Sequence, residues 1–119
     1  MLPKNRRLNH RDFLTAKILG KNLRLPFFSV IHYSPSDSHP TTHNPARFSI
    51  VTSYKLHKHA VVRNRLRRLI YTLVSARPFP PGDYIIFPGR ELINLSHEEL
   101  GAVIDQVLSK ISIVRHRSA

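Results

Sequence analysis

Lys55–Arg68, KLHKHAVVRNRLRR, holds six of the nineteen basic residues of the chain and no acid. The gap in negative charge is wider still, because no Asp or Glu occurs between Ser38 and Gly82. Periodicity predicts a helix from about His59 to Ala76. At 100° per residue, Val62, Leu66, Leu69, Ile70 and Leu73 share one stripe, the spacing of a helix that faces a core. Asn64, Arg67, Arg68 and Tyr71 then project from the opposite face, with Arg63 and Arg65 flanking the stripe. Four like charges within six helical residues repel one another, and a dense polyanion would offset that repulsion. Arginine suits such a partner, since its planar fork meets two phosphate oxygens at once and stacks on bases. A merely solvated face would interleave Glu as i, i+4 partners, and none is present. The stretch reads as a helix that binds nucleic acid.

Composition bounds the remainder. A chain of 119 residues is a single domain, 1–119, with room for one modest core. An apolar fraction of 41% supports a folded protein, and a formal charge of +12 points to a polyanionic partner. No apolar run reaches the roughly 18 residues that span a bilayer, and the start lacks the apolar core of a signal peptide. The absence of cysteine excludes disulfides and thiolate metal sites, so a cytoplasmic location is expected.

Around the basic helix the elements follow from local signals. Asn9 is an N-cap with Asp12 in the first turn, Leu8 and Phe13 form a staple, and Gly20 ends a helix of about eleven residues. Phe13, Leu14 and Ile18 are its expected apolar face. Leu25–Tyr33 is aromatic and β-branched and reads as one strand, with Phe28, Val30 and His32 on one side. Phe27, Ser29, Ile31 and Tyr33 take the other. Residues 34–45, with three prolines, form a loop. Its His39 and His43 lack both a helix and a third ligand, so no metal site is expected. Arg47–Ser53 alternates and is expected to pair antiparallel with the preceding strand. Pro78, Pro80, Pro81 and Gly82 stop the basic helix, and Asp83–Pro88 reads as a central strand covered on both sides. Ser96 and Glu99 form a capping box for a last helix, Ser96–Ile111, whose stripe is Leu100, Val103, Ile104, Val107, Leu108 and Ile111. Residues 112–119 are expected to be a mobile basic tail. These elements make an α+β fold, a small two-layer α-β sandwich.

At these residues the chain resembles the protein subunit of bacterial ribonuclease P. The resemblance centres on Arg63-Asn64-Arg65, followed by Leu66 and Arg67-Arg68, and preceded by Ser53, Lys55, Lys58, Ala60 and Val61. Asp12-Phe13, Gly20, Arg24, Pro26, Phe28, Arg47-Phe48 and Gly82-Asp83-Tyr84 extend it over nearly the whole chain. The resemblance implies α-β-β-β-α-β-α order with a left-handed β-α-β crossover carrying the basic helix. The residues themselves show no sign of its extra strand. It also implies a partner, the catalytic RNA that removes the 5′ leader from precursor transfer RNA, with Mg2+ as cofactor held mainly by that RNA. Carried over by position, Lys55, Lys58, Arg63, Asn64, Arg65, Arg67 and Arg68 would face the RNA. Phe13, Lys17, Ser29, Ile31 and Tyr33 would line a cleft for the single-stranded leader. Lys17 and Ile31 stand where the family has aromatic residues, and Tyr54 where a second lysine is common.

The chemistry of the acids agrees with an RNA-catalysed reaction. Magnesium takes clustered hard oxygens, whereas Asp12, Asp37, Asp83, Glu91, Glu98, Glu99 and Asp105 are scattered. No catalytic or metal-ligating residue and no small-molecule substrate is therefore expected of the protein. Two alternatives are a metal-independent nuclease using His57 and His59, and a non-enzymatic RNA-binding module such as a small ribosomal protein.

Overall fold

A computed structural model describes residues 7–25, 27–33 and 46–118, with side chains to 111. The order is α1 (His10–Leu19), β1 (Lys21–Leu25), β2 (Phe28–Tyr33), β3 (Arg47–Ile50), α2 (Ala60–Ser75), β4 (Asp83–Pro88), a 3-10 turn (Arg90–Asn94) and α3 (His97–Ser118). This is the α-β-β-β-α-β-α arrangement that the resemblance implied. The extra strand is β1, and the single strand expected over Leu25–Tyr33 is instead the second arm of a tight hairpin. Leu25 pairs with Phe28, and Lys21 with His32. The expected loop over residues 34–45 and the last residue of the tail, Ala119, lie outside the described residues.

The four strands stand in the order β1-β2-β4-β3. The expected antiparallel pairing of β3 with the preceding strand is therefore corrected. β4 lies between them, antiparallel to β2 and parallel to β3. The reason is burial: Tyr84, Ile85 and Ile86 are each at most 1% exposed, so this run needs a neighbour on both edges and cover on both faces. β3 becomes an edge, partly protected by Arg7 and Leu8, whose backbone pairs with Phe48. α2 is the crossover between the parallel strands.

One sheet face carries Phe28, Val30, Phe48, Ile50, Tyr84 and Ile86, packed with Leu66, Ile70, Leu73 and Val74 of α2 and the expected stripe of α3. Tyr84 sits between the rings of His32 and Phe48, and its hydroxyl donates to the Pro80 carbonyl at 2.6 Å. The helix rotation differs slightly from expectation. Val74 joins the buried stripe, while Asn64, Arg67 and Tyr71 are half-buried and not fully outward. α3 begins with the reciprocal capping box, Ser96 N–H to Glu99 Oε1 at 3.0 Å and Glu99 N–H to Ser96 Oγ at 3.1 Å. Its helix continues to Ser118, beyond the end expected at Ile111.

α1 lies on the opposite face, against β2 and β4. Its Asn9 side chain accepts the Asp12 N–H at 2.8 Å, as the cap predicted. Its apolar face does not match the expectation: Leu14 and Ile18 are exposed, and Ala16 is the buried residue. The helix approaches so closely that only a methyl fits. Gly20 explains the approach. Its backbone is extended, not left-handed, so conformational freedom is not the reason for glycine. A Cβ there would meet Ala16 O and Ile31 Cγ2, each at 2.5 Å.

The Arg47 guanidinium ties α1 to the sheet. Nε and Nη2 donate to the two Asp83 oxygens at 2.8 and 2.9 Å, and Nη1 donates to Asp12 at 2.8 Å. Burial pushes the Asp83 carboxyl above its ordinary range, and the two Arg47 bonds only partly offset it.

Gly20→Ala should destabilise the fold by about 1–3 kcal/mol through overpacking, read as a lower urea midpoint. Hydrogen bonds from Ser96 hold the Glu99 carboxyl below its ordinary value of 4.5. A depressed folded-state value gives stability above that pH, lost as the pH falls through the folded value. Glu99→Gln should therefore lower the melting temperature at neutral pH, with the gap from the parent closing in acid.

Candidate nucleic-acid interface

Leu66, Ile70, Leu73 and Val74 hold the inner side of α2, so the outward line is Val61, Arg65, Arg68 and Thr72, all exposed. Among the described residues no carboxylate lies within ion-pair distance of Arg63, Arg65, Arg67 or Arg68. The arginines nevertheless differ. Arg63 is half-buried, and its Nη1 donates to the carbonyls of His57 at 2.7 Å and Lys58 at 3.2 Å, binding the preceding loop to the helix. Arg67 donates to Asn64 Oδ1 at 2.9 Å, orienting that amide. Arg65 and Arg68 extend into solvent. The most accessible apolar residue of this line is Val61, 80% exposed at its start.

Beside the N-terminus of α2 lies a cavity of about 520 Å3, lined in part by Tyr54, Lys55, His57, Lys58 and Arg90. Arg90 Nε donates to the Lys55 carbonyl at 3.1 Å, joining the 3-10 turn to the loop. The helix has no acid in its first turn and no side-chain cap at His59, so its terminal N–H groups and partial positive charge add to the cationic surroundings. His57 and His59 are neighbours, with ring centroids 5.2 Å apart. His57 Nδ1 accepts the His59 N–H at 3.0 Å, which removes one nitrogen from acid–base use.

The sheet face under α1 is ordered in rows across the strands. Tyr33, the register partner of Asp83, opens the row Tyr33–Asp83–Arg47. The next row is Asn22–Ile31–Ile85–Ser49, and the third is Arg24–Ser29–Phe87. α1 covers the first two, since Ile85 is fully buried, and leaves the third more open, with Phe87 half-buried. Phe13, half-buried, and Lys17, exposed, stand one turn apart on α1, and Ser29, Ile31 and Tyr33 lie on this sheet face. Ile31 sits under Gly20. Beyond the cover of α1, a hollow of about 390 Å3 is bounded by Asn22, Arg24, Phe27, Ser29, Phe87 and Glu91. Of these, only Ser29 was expected to line a cleft. Phe27 belongs to the hairpin turn and Phe87 to a strand three elements away, so only strand pairing brings them together.

Four of the described acids are engaged within the fold. Asp12 and Asp83 hold Arg47, Asp105 accepts from Arg77 at 2.6 Å, and Glu99 closes the cap. Among the described residues no three His, Asp or Glu side chains are grouped to hold a metal ion. No helix among them is long and apolar enough to cross a membrane.

Comparisons with known proteins bear on the family and the fold. The family model described as Ribonuclease P matches residues 2–112. A ribonuclease P protein component from Microcystis aeruginosa is 36% identical over 95% of this chain and 96% of its own. One from Synechocystis sp. is 32% identical over 97% and 92%. The fold is similar to that of the RNase P protein from Thermotoga maritima, with TM-score 0.72, 23% identity and coverage of 87% and 96%. The Staphylococcus aureus RNase P protein gives TM-score 0.72 at 20% identity, covering 92% and 96%. An uncompensated arginine helix, a crossover fold and relatives alike over almost their full length lead to one conclusion: the chain belongs to the ribonuclease P protein family, as a subunit of a ribonucleoprotein endoribonuclease of transfer RNA 5′ maturation.

Proposed function

We propose that two faces of this protein hold two RNAs. The α2 face, with Lys55, Lys58, Arg63, Asn64, Arg65, Arg67 and Arg68, docks on the catalytic RNA. The α1–sheet face, with Phe13, Lys17, Ser29, Ile31 and Tyr33, holds the 5′ leader of precursor transfer RNA. The observation that carries the reading is the outward line of Arg65 and Arg68 with no carboxylate partner among the described residues. Folded RNA supplies the missing negative charge, and each neutralised phosphate steepens the salt dependence by roughly 0.7–0.9 log units per log unit.

Arg63 and Arg67 contribute in a second way. Their contacts to the loop carbonyls and to Asn64 preorganise the surface, so less side-chain entropy is lost on binding. On the leader face, Lys17 replaces stacking with a charge that suits a leader phosphate. The protein neutralises and positions, and hydrated magnesium is assigned to the RNA subunit. A free-standing RNA-binding module such as a small ribosomal protein is not favoured, given the family.

Arg65→Ala should weaken association with the catalytic RNA about tenfold, with a shallower salt slope in filter binding. Lys17→Ala should leave that association unchanged and weaken precursor binding by the assembled complex. Equal effects of both substitutions on assembly would refute the division of faces. The protein alone should leave precursor transfer RNA uncut in EDTA, and cleavage there would favour the His57–His59 alternative.

A further inference from the structure

The hollow at Arg24–Ser29–Phe87 has one acid among its lining residues. Glu91 lies at its edge and forms no ion pair among the described residues. The carboxylate leans back over Gly89, because a Cβ on that glycine would lie 2.7 Å from Glu91 Oε2. Gly89 also joins the two aromatic walls. Its N–H donates to the Phe27 carbonyl at 2.8 Å, and a Cβ there would come within 2.4 Å of that oxygen. The glycine thus holds the Phe27 turn against the end of β4, next to Phe87. Phe27 is 40% exposed although it is a large apolar residue.

Phosphate alone does not suit this site, since a carboxylate repels it. The combination of aromatic walls, a cation and a lone acceptor matches an unpaired nucleobase. Bases stack on phenyl rings, a carboxylate accepts hydrogen bonds from exocyclic amino groups, and arginine meets the adjoining phosphate.

We infer that this hollow receives one unpaired leader base bearing an exocyclic amino group, stacked at Phe27 and Phe87 and read by Glu91, with Arg24 on its phosphate. The inference rests on the proposed leader face, which it extends past the edge of α1, and Ser29 is common to both. Uracil is disfavoured because it presents carbonyl oxygen where cytosine presents the N4 amino group. Cytosine and uracil are nearly equal in size, so the pair isolates the role of the carboxylate.

The test measures binding of three precursors to the complex reconstituted with its RNA subunit: one with an all-cytidine leader, one with an all-uridine leader and one without a leader. The cytidine leader should bind about tenfold tighter than the uridine leader. Glu91→Gln should bring that ratio close to one, because an amide serves either base as donor or acceptor. Phe27→Ala should weaken both leaders by about tenfold and leave the ratio in place. Unchanged melting temperatures would show that both variants fold. A parent ratio of one, or a ratio unaffected by Glu91→Gln, would overturn the inference while leaving the leader face intact. A leaderless precursor that binds as tightly as both others would instead overturn the leader face itself.

Discussion

The rotation of α2 about its own axis is the constraint from which the proposed function follows. Leu66, Ile70, Leu73 and Val74 are buried, and turning the helix by one residue would expose them and bury guanidinium groups. Burying an unpaired charge costs far more than the aliphatic contacts return, so the apolar stripe and the arginines enforce the same orientation. The like charges left outside repel one another, and that repulsion is offset only by a polyanion outside the fold. On the proposed reading, stability of the domain and affinity for RNA are therefore set by opposite sides of one helix.

A second constraint acts on the other sheet face. Arg47 bridges Asp83 on the central strand and Asp12 in the first turn of α1. Half-buried charges of this kind are costly to separate, because removing one leaves its partner desolvated and unpaired. The bridge fixes one end of α1, and the close contact at Gly20 fixes the other. Between them the helix covers two rows of the sheet and leaves the third open. The span of that cover bounds the proposed leader face, and it accounts for the hollow beyond.

Four of the described acids serve the internal structure of the fold. Asp12, Asp83, Asp105 and Glu99 each have a partner within the fold. Positive charge is thereby left in excess on the surfaces proposed to meet RNA. Arg47 and Arg77, the two arginines paired with described acids, lie away from the outward line of α2. Composition alone does not separate these two uses of arginine, since the pairing depends on contacts between residues 28 and 36 positions apart.

The sequence by itself determined the features whose causes are local: the Asn9 cap, the Ser96–Glu99 box, the extent of α2, the apolar run of β4 and the line of arginines. Each depends on neighbours within one or two turns, so periodicity and capping chemistry suffice. Tertiary structure alone decided the order of the strands, the pairing of an extra strand β1 with β2 in a hairpin, the burial of Ala16 in place of Ile18, and the placing of Phe27 and Phe87 at one hollow. Those outcomes depend on which distant surfaces come together. A glycine such as Gly20 or Gly89 shows its purpose only once the opposing backbone is in place, since what it supplies is the absence of a side chain.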